Sequence, residues 1–153
     1  MLLARNGIVA PHRYGILYGG SSEVSWEALR KLPFYYLNAA NIGVSWWSHD
    51  VGGNHGGVED GELYVRYLQL STFSPILRFH AARGQYYKRE PWLWDAETEN
   101  IAADYLRLRH RLIPYLYTEA YNYTKSGIPL ILIICGFMMM SYIKINTTLV
   151  HNY

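Results

Sequence analysis

Short apolar runs alternate along the chain with longer stretches in which apolar residues recur every three or four positions. The runs at residues 16–18, 41–46 and 74–80 predict three short buried strands. The stretches between and after them predict three helices, because this spacing places apolar side chains on one helical face. The resulting alternation of strand and helix is typical of parallel α/β units.

The first predicted helix has a start signal and a stop signal. Ser25 stands where its hydroxyl can cap the amides of a helix that begins at Trp26. Leu29 and Leu32 continue the apolar face of that helix. Pro33 is expected to end it, since proline lacks the amide that the next helical hydrogen bond requires.

Two further helices are predicted later in the chain. The second has its apolar face at Leu63, Tyr67 and Leu70. The third is longer, and its apolar residues recur at helical spacing at Ile101, Tyr105, Leu108, Leu112 and Leu116. We expect Pro114 to bend this helix and Gly127 to end it.

The densest group of polar and aromatic side chains lies at residues 46–53. Two indoles, an imidazole and a carboxylate come together there, and glycines follow at once. Asp50 is therefore expected where a strand passes into a loop, which is where α/β barrels place their working residues. A carboxylate beside tryptophan also suits a sugar site. The alternative is a turn in which Asp50 caps backbone amides while the tryptophans lie in the core.

The position of polar residues relative to the predicted strands favours the site over the turn. Ser21, Asp50 and His80 each follow one of three successive predicted strands. The carboxyl ends of parallel strands share one edge of the sheet, so the three side chains are expected to lie at that edge.

Composition limits the classes of function. Half of the residues are hydrophobic and 16% are aromatic, which excludes a disordered chain and suits one ordinary domain. The net charge of +2 comes from scattered basic residues, so no nucleic-acid partner is expected. The apolar run at residues 128–143 is shorter than the about 20 residues of a membrane-spanning helix, so no membrane anchor is expected.

The cysteine count and the remaining polar clusters exclude further kinds of site. Cys135 is the only cysteine, which excludes an internal disulfide and favours a reducing, cytoplasmic compartment. His49, Asp50, His55 and Asp60 match no zinc-site spacing, so we expect no metal. The glycine loop at residues 52–57 lacks the Lys-Ser/Thr pair of a phosphate loop, and no cofactor is expected.

Several longer motifs follow one another in a fixed order. They are WWSHDVGG at residues 46–53, ELY at 62–64, FSPILRFH at 73–80, REPW at 89–92 and LRLRHRLIPYLY at 106–117. Together they resemble glycoside hydrolase family 31, the retaining α-glucosidases and α-xylosidases. The resemblance extends over roughly residues 4–131, and YYKREPW at residues 86–92 is closer to the α-glucosidase members.

The resemblance implies a (β/α)8 TIM barrel of which this α/β chain holds only the later strands and helices. It implies a partial catalytic barrel at residues 1–131, followed by a divergent apolar tail at residues 132–153. By resemblance, the substrate-binding residues are Arg5, Asp50 and His80, which match ligands of sugar hydroxyls, and Trp47, which is expected in the pocket wall. The expected substrate is an oligosaccharide or α-glucoside.

Two departures from the family pattern affect catalysis. The family nucleophile lies upstream of the position matched by Arg5, so this chain is expected to begin after it. The aspartate that serves as acid/base is replaced by Ser21, whose hydroxyl cannot protonate a leaving oxygen near neutral pH. We therefore expect no catalytic residue in this chain, and Glu23 is not expected to substitute for the lost acid.

The sequence leaves more than one function open. The chain is expected to be a fragment of an α-glucosidase-like glycosidase of carbohydrate metabolism that is inactive by itself. The alternatives are a non-catalytic remnant with weak sugar binding, or one half of a split enzyme. A split enzyme would require a complementing chain that carries the rest of the barrel.

Overall fold

The computed structural model contains three short parallel strands that form the first layer of an α/β unit. The structure describes residues 3–4, 15–57, 59–82 and 88–131. The strands lie in the order β1 (Leu3–Ala4), β2 (Ile16–Tyr18) and β3 (Trp47–Ser48). The parallel α/β arrangement predicted from the sequence is thereby confirmed in the described residues.

The first helix, α1 (Trp26–Asn41), begins where the sequence predicts and ends later. Ser25 Oγ accepts a hydrogen bond from the Ala28 amide at 3.1 Å, which confirms the predicted cap. The prediction that the helix ends at Pro33 is wrong, since the helix continues for eight more residues. That second half carries Tyr36, which is buried. Packing of this kind outweighs the about 3 kcal/mol that an internal proline costs a helix.

The strand predicted at residues 41–46 is displaced toward the carboxyl end. Residue 41 still belongs to α1, and Gly43 then turns the chain with φ +77°. Ile42, which the prediction placed in a buried strand, is 74% exposed. The ladder forms only at Trp47–Ser48, where Leu17 and Tyr18 of β2 provide the register partners.

The segment at residues 74–80, which the sequence predicts as a strand, pairs at a single point with the residues that follow β3. Val51 and Phe79 form one isolated parallel bridge, and the Val51 amide donates to the Arg78 carbonyl at 3.0 Å. The rest of the segment forms no ladder, and the carbonyls at its start bond to a side chain. The Arg109 guanidinium donates to the carbonyls of Ser74 and Pro75. The segment therefore occupies the place of the next parallel strand without forming a ladder.

The second and third helices agree well with the prediction. Helix α2 (Gly61–Thr72) buries Leu63 and Tyr67 completely or nearly so and Leu70 in part. Helix α3 (Ala96–Ser126) contains Pro114 and ends at Gly127, whose φ of +72° is the left-handed conformation of a helix stop. The expected helix end is confirmed, and the bend at Pro114 stays a prediction.

The core lies between the sheet and the helices. It consists of buried side chains from the strand ends, α1, α2 and the start of α3, namely Val24, Leu32, Val51, Leu63, Tyr64, Val65, Tyr67, Leu68 and Ala102. Helix α3 contributes only its first turns, because Thr98 and Ala102 are its buried residues. In the described part of the chain, no helix combines the length and hydropathy needed to cross a bilayer.

Candidate functional site

The carboxylate of Asp50 is the centre of a buried polar cluster just past the end of β3. Its Oδ2 accepts hydrogen bonds from the Tyr18 hydroxyl at 2.6 Å and from Asn54 Nδ2 at 2.7 Å, and its Oδ1 pairs with Arg78. The side chain thus binds three side chains from three segments, and within the described ranges it caps no backbone amide. This geometry disagrees with the alternative in which Asp50 serves a turn through backbone capping.

Arg78 reaches solvent in part, unlike the carboxylate to which it is paired. Its side chain is 26% exposed, whereas that of Asp50 is 0% exposed. The guanidinium also lies 4.7 Å from the centre of the Tyr18 ring, which is a cation–π contact. Burial, and then the hydrogen bond to Asp50, raise the pKa of Tyr18, so the phenol remains a donor. The cluster is therefore an ion pair with its anion enclosed and its cation at the edge.

Two buried polar atoms, one in the arginine of this ion pair and one in β3, have hydrogen-bonding capacity left. Arg78 Nε and Ser48 Oγ have no hydrogen-bond partner within the described ranges. Ser48 pairs in register with Tyr18 across β2 and β3. Its side chain is two positions before Asp50, and alternating strand residues point to the same face of a sheet. Unused donors and acceptors therefore lie on the face that carries the carboxylate.

Ser21 is brought to the same cluster through Tyr18. The Tyr18 hydroxyl oxygen lies 3.4 Å from Ser21 Oγ and 2.6 Å from Asp50 Oδ2. Because the phenol has one proton and the carboxylate is the stronger acceptor, Ser21 is left to donate to the phenol oxygen. The predicted meeting of Ser21 and Asp50 at the strand ends is thus observed.

The other predicted site residues lie in different surroundings. His80 is exposed and follows Phe79, whose backbone pairs with Val51. Arg5 lies outside the described residues. Their roles as sugar ligands stay predictions.

Trp47 packs toward α1. Its ring centre lies 4.6 Å from that of Tyr36 in an edge contact, and it stacks on His49 at 5.9 Å. Trp47 and His49 therefore share the face of the strand opposite to Asp50, as the two-residue period of a strand requires. The place of Trp47 in a pocket wall stays a prediction.

His49 is a core histidine with both ring nitrogens engaged. Nδ1 lies 2.6 Å from the Tyr36 hydroxyl and Nε2 lies 2.9 Å from Ser71 Oγ. Ser71 donates its own proton to the Tyr67 carbonyl at 2.6 Å, so Nε2 must carry the hydrogen and Nδ1 must accept. Burial lowers the pKa of His49 to about 4 and keeps the ring neutral.

A second arginine supports the turn that follows Asp50. Arg89 is 8% exposed, and its Nη2 donates to the carbonyls of Gly52 at 3.1 Å and Gly53 at 2.7 Å. The same turn is closed by a hydrogen bond from the Gly53 amide to the Asp50 carbonyl at 3.0 Å. No set of three acidic, histidine or cysteine side chains within the described ranges is arranged to hold a metal.

The chain also matches a known protein family. The sequence model of the glycosyl hydrolases family 31 TIM-barrel domain matches residues 1–119. This chain belongs to glycosyl hydrolase family 31. The resemblance inferred from the motifs is thereby confirmed, and the parallel strands with their helices are elements of a (β/α)8 barrel.

Relatives within family 31 are similar over most of this chain. An α-xylosidase of Saccharolobus solfataricus is 33% identical over 79% of the chain and 17% of its own length. Alpha-glucosidase 2 of Bacillus thermoamyloliquefaciens is 34% identical over 84% of the chain and 16% of its own length. The cycloalternan-forming enzyme of Listeria monocytogenes, solved with a pentasaccharide substrate, superposes with a TM-score of 0.80 at 27% identity, over 85% of this chain and 13% of that one.

The chain spans less than one fifth of the length of these family 31 relatives. The relatives are named as α-glycosidases of several kinds, including an α-xylosidase, an α-glucosidase and an isomaltosidase. Membership of the family is therefore established for the matched segment.

Sequence reasoning missed four residues of the cluster: Tyr18, Asn54, Arg78 and Arg89. A signal existed for Arg78, which stands two positions before His80 and so shares its strand face if the segment is extended. No comparable signal exists for Arg89, since its partners lie 36 and 37 positions away in the chain.

Proposed function

We propose that this chain is part of the catalytic barrel of a retaining, α-glucosidase-like enzyme and that it supplies part of the sugar-binding wall. The observation that carries the proposal is the buried Asp50 carboxylate paired with the partly exposed Arg78 where β3 ends. The names of family 31 relatives support it: a Flavobacterium johnsoniae dextranase was solved with glucose, and 76% of this chain superposes on it.

The chemistry of the cluster suits a sugar hydroxyl. A hydroxyl both donates and accepts, so it can donate to a carboxylate and accept from a guanidinium at the same time. The Asp50 carboxylate has about four acceptor positions, of which three protein donors use three. Arg78 Nε has no partner among the described residues and adds a donor. Small shifts at the Arg78 edge would open the ion pair to a ligand.

We further propose that the 153 residues alone do not turn over substrate. In the family pattern the acid/base position is held here by Ser21, which bonds only weakly to Tyr18. Loss of a general acid costs about 10²–10⁴-fold in rate. Retaining glycosidases also need two carboxyl groups roughly 5–5.5 Å apart, and the resemblance places the nucleophile upstream of Arg5.

A binding and turnover assay tests both statements. The purified full chain should bind methyl α-glucoside in ligand-observed NMR, and it should release no nitrophenol from p-nitrophenyl α-glucoside above background. Asp50→Asn keeps the shape of the side chain but weakens the ion pair with Arg78, so it should reduce binding at least about tenfold. Asp104→Asn, an exposed charge on α3, is the matched control and should bind as the parent does.

Two results would reject these statements. Turnover well above background that Asp50→Ala abolishes would show that the chain is a complete catalyst. Absence of saturable binding at any accessible glucoside concentration would remove the sugar-binding role.

The second candidate is one half of a split enzyme completed by another chain. It is favoured by the large exposed side chains on the second half of α3, such as Ile113 at 51%, Tyr117 at 77% and Tyr121 at 58% exposure. The test is to read the DNA on both sides of this coding sequence for an open frame that encodes the family nucleophile. Co-expression of the two products should then restore glucosidase activity, and a co-purified but inactive pair would count against the split enzyme.

A further inference from the structure

We propose that Arg89 is a positioning residue for the Asp50 carboxylate, which it holds in place through the backbone of the following turn. The inference rests on the proposed sugar-binding role of Asp50 and adds a residue that touches neither the carboxylate nor a ligand. Arg89 lies far from Asp50 in sequence, and its guanidinium donates to backbone carbonyls.

The turn after Asp50 has a backbone that needs external support. Gly52 adopts φ +87° and Gly53 adopts φ +78°, which most residues avoid. The hydrogen bond from the Gly53 amide to the Asp50 carbonyl closes the turn. The carbonyls of Gly52 and Gly53 then both point at Arg89 Nη2, at 3.1 and 2.7 Å. One guanidinium nitrogen thus fixes two successive peptide units directly after the carboxylate.

The guanidinium also packs closely against the Cα side of Gly52. A Cβ atom on Gly52 would lie 3.1 Å from Arg89 Cζ, so the planar cation packs directly against the glycine backbone. Two further hydrogen bonds hold the arginine itself. Arg89 Nη1 donates to the Lys88 carbonyl at 2.7 Å, and the Arg89 carbonyl accepts from the Tyr64 hydroxyl at 2.9 Å. The support is therefore rigid.

Asn54 transmits the position of the turn to the carboxylate. Its side-chain amide donates to Asp50 Oδ2 at 2.7 Å. Its backbone is held from two sides, because its amide donates to the Ser22 carbonyl at 2.8 Å and its carbonyl accepts from the Ala82 amide at 2.9 Å. A shift of the turn would move Asn54, which would free Oδ2 to rotate away from the Tyr18 hydroxyl.

Charge adds to this arrangement. Burial lowers the pKa of Arg89, while the negative charge of the Asp50 carboxylate acts in the opposite direction. The described part of the chain records no salt bridge for Arg89, so backbone carbonyls carry the hydrogen bonding of this buried cation. A neutral side chain of the same length would leave both turn carbonyls without their donor, and an unsatisfied buried acceptor destabilises the turn.

The decisive readout is the side-chain amide of Asn54, observed by NMR in the full-length protein. In the parent its two protons should be shifted apart and protected from solvent exchange by the bond to Asp50. Arg89→Met should abolish this protection and weaken methyl α-glucoside binding at least about tenfold. Arg89→Lys keeps the charge and can donate, so it should restore part of both.

Arg109→Met is the matched control. Arg109 is half-buried and, within the described ranges, donates only to carbonyls, those of Thr72, Ser74 and Pro75, which lie outside the Asp50 turn. The Arg109→Met variant should lower the thermal midpoint as Arg89→Met does, and it should leave the Asn54 amide protected. If Arg89→Met fails to fold, Arg89→Lys tests the same contact with a smaller change.

The outcomes separate this inference from the proposed function. An unchanged Asn54 signal in the Arg89 variants, or equal loss in the Arg109 control, would overturn the positioning role. A parent protein that binds no glucoside would reject the proposed function, while the Asn54 signal would still decide the role of Arg89.

Discussion

At the scale of single residues, two neighbours in sequence have opposite environments. His49 lies between α1 and α2 with hydroxyls on both ring nitrogens, and Asp50 lies on the other face of the sheet with three donors. The period of two along a strand separates them. A histidine next to a site carboxylate is here a packing residue, and its titration affects stability.

The pH dependence of stability should report on His49. Its folded pKa of about 4 lies below the ordinary value of 6.5, so the unfolded chain takes up a proton first as the pH falls. The resulting contribution is fully present above pH 6.5 and is lost between pH 6.5 and 4, by about 3 kcal/mol. Urea unfolding of His49→Gln at pH 7.5 and 4.5 should show a flatter profile than the parent.

The control for this prediction is the exposed His110 on α3, whose Nδ1 lies near the Leu106 carbonyl. His110→Gln should keep the pH profile of the parent. If His49→Gln and the parent lose the same stability between the two pH values, His49 is not the group that titrates.

At the scale of elements, α1 shows how tertiary packing overrides a local signal. Its second half follows Pro33 and carries Tyr36, which contacts both Trp47 and His49. The helix therefore continues through a residue that removes one internal hydrogen bond and crowds the preceding turn. The interior proline is a local defect that the packing of Tyr36 compensates.

Pro33→Ala should therefore stabilise the protein. Alanine restores an amide within reach of the preceding turn, and the free energy of unfolding should rise by about 1–3 kcal/mol. Chemical unfolding of the parent and the variant measures the difference. Pro114→Ala is the comparison: it lies in the exposed half of α3, which buries little, so its effect on global unfolding should be smaller. A destabilised Pro33→Ala protein would contradict the argument.

Local signals explain which elements the sequence could predict. Ser25 and Gly127 mark helix ends correctly because capping depends on the residue and its nearest neighbours alone. The sequence predicts the strand start too early because Ile42 is apolar but exposed, which its sequence context does not reveal. The carbonyls at the start of residues 74–80 bond to Arg109, which is more than 30 positions away, and no local pattern predicts that contact.

The candidate site is predictable only where local signals mark it. Asp50 and Ser21 were located from their place after strands, since that edge is shared in a parallel sheet. Arg78 and Arg89 belong to the site only through contacts with residues 28 and 36–37 positions away. A sequence pattern identifies the end of a strand, and it does not identify which distant side chain will support it.

At the scale of the whole molecule, the described core is small and lies at one end of α3. Thr98 and Ala102 are buried, whereas Ile113, Tyr117 and Tyr121 recur every four residues on an exposed face. Exposed apolar surface of this kind usually marks a contact with another protein surface.

We therefore expect the isolated chain to self-associate through this face. Replacing Ile113, Tyr117 and Tyr121 by lysine should shift sedimentation-velocity profiles toward the monomer, because the change removes apolar area and adds repulsion. Thr118→Lys with Asn122→Lys is the control, since it adds charge to the same helix without removing apolar area. Equal effects of both sets would indicate charge repulsion alone.

The stacking of Trp47 on His49 has an optical consequence. Their rings are inclined by only 20° and their centres lie 5.9 Å apart. A protonated imidazole accepts an electron from an excited indole far better than a neutral one, so it quenches tryptophan fluorescence. Emission from Trp47 should dim when His49 gains its proton, which would make this pair a built-in reporter of the acid transition without any attached dye.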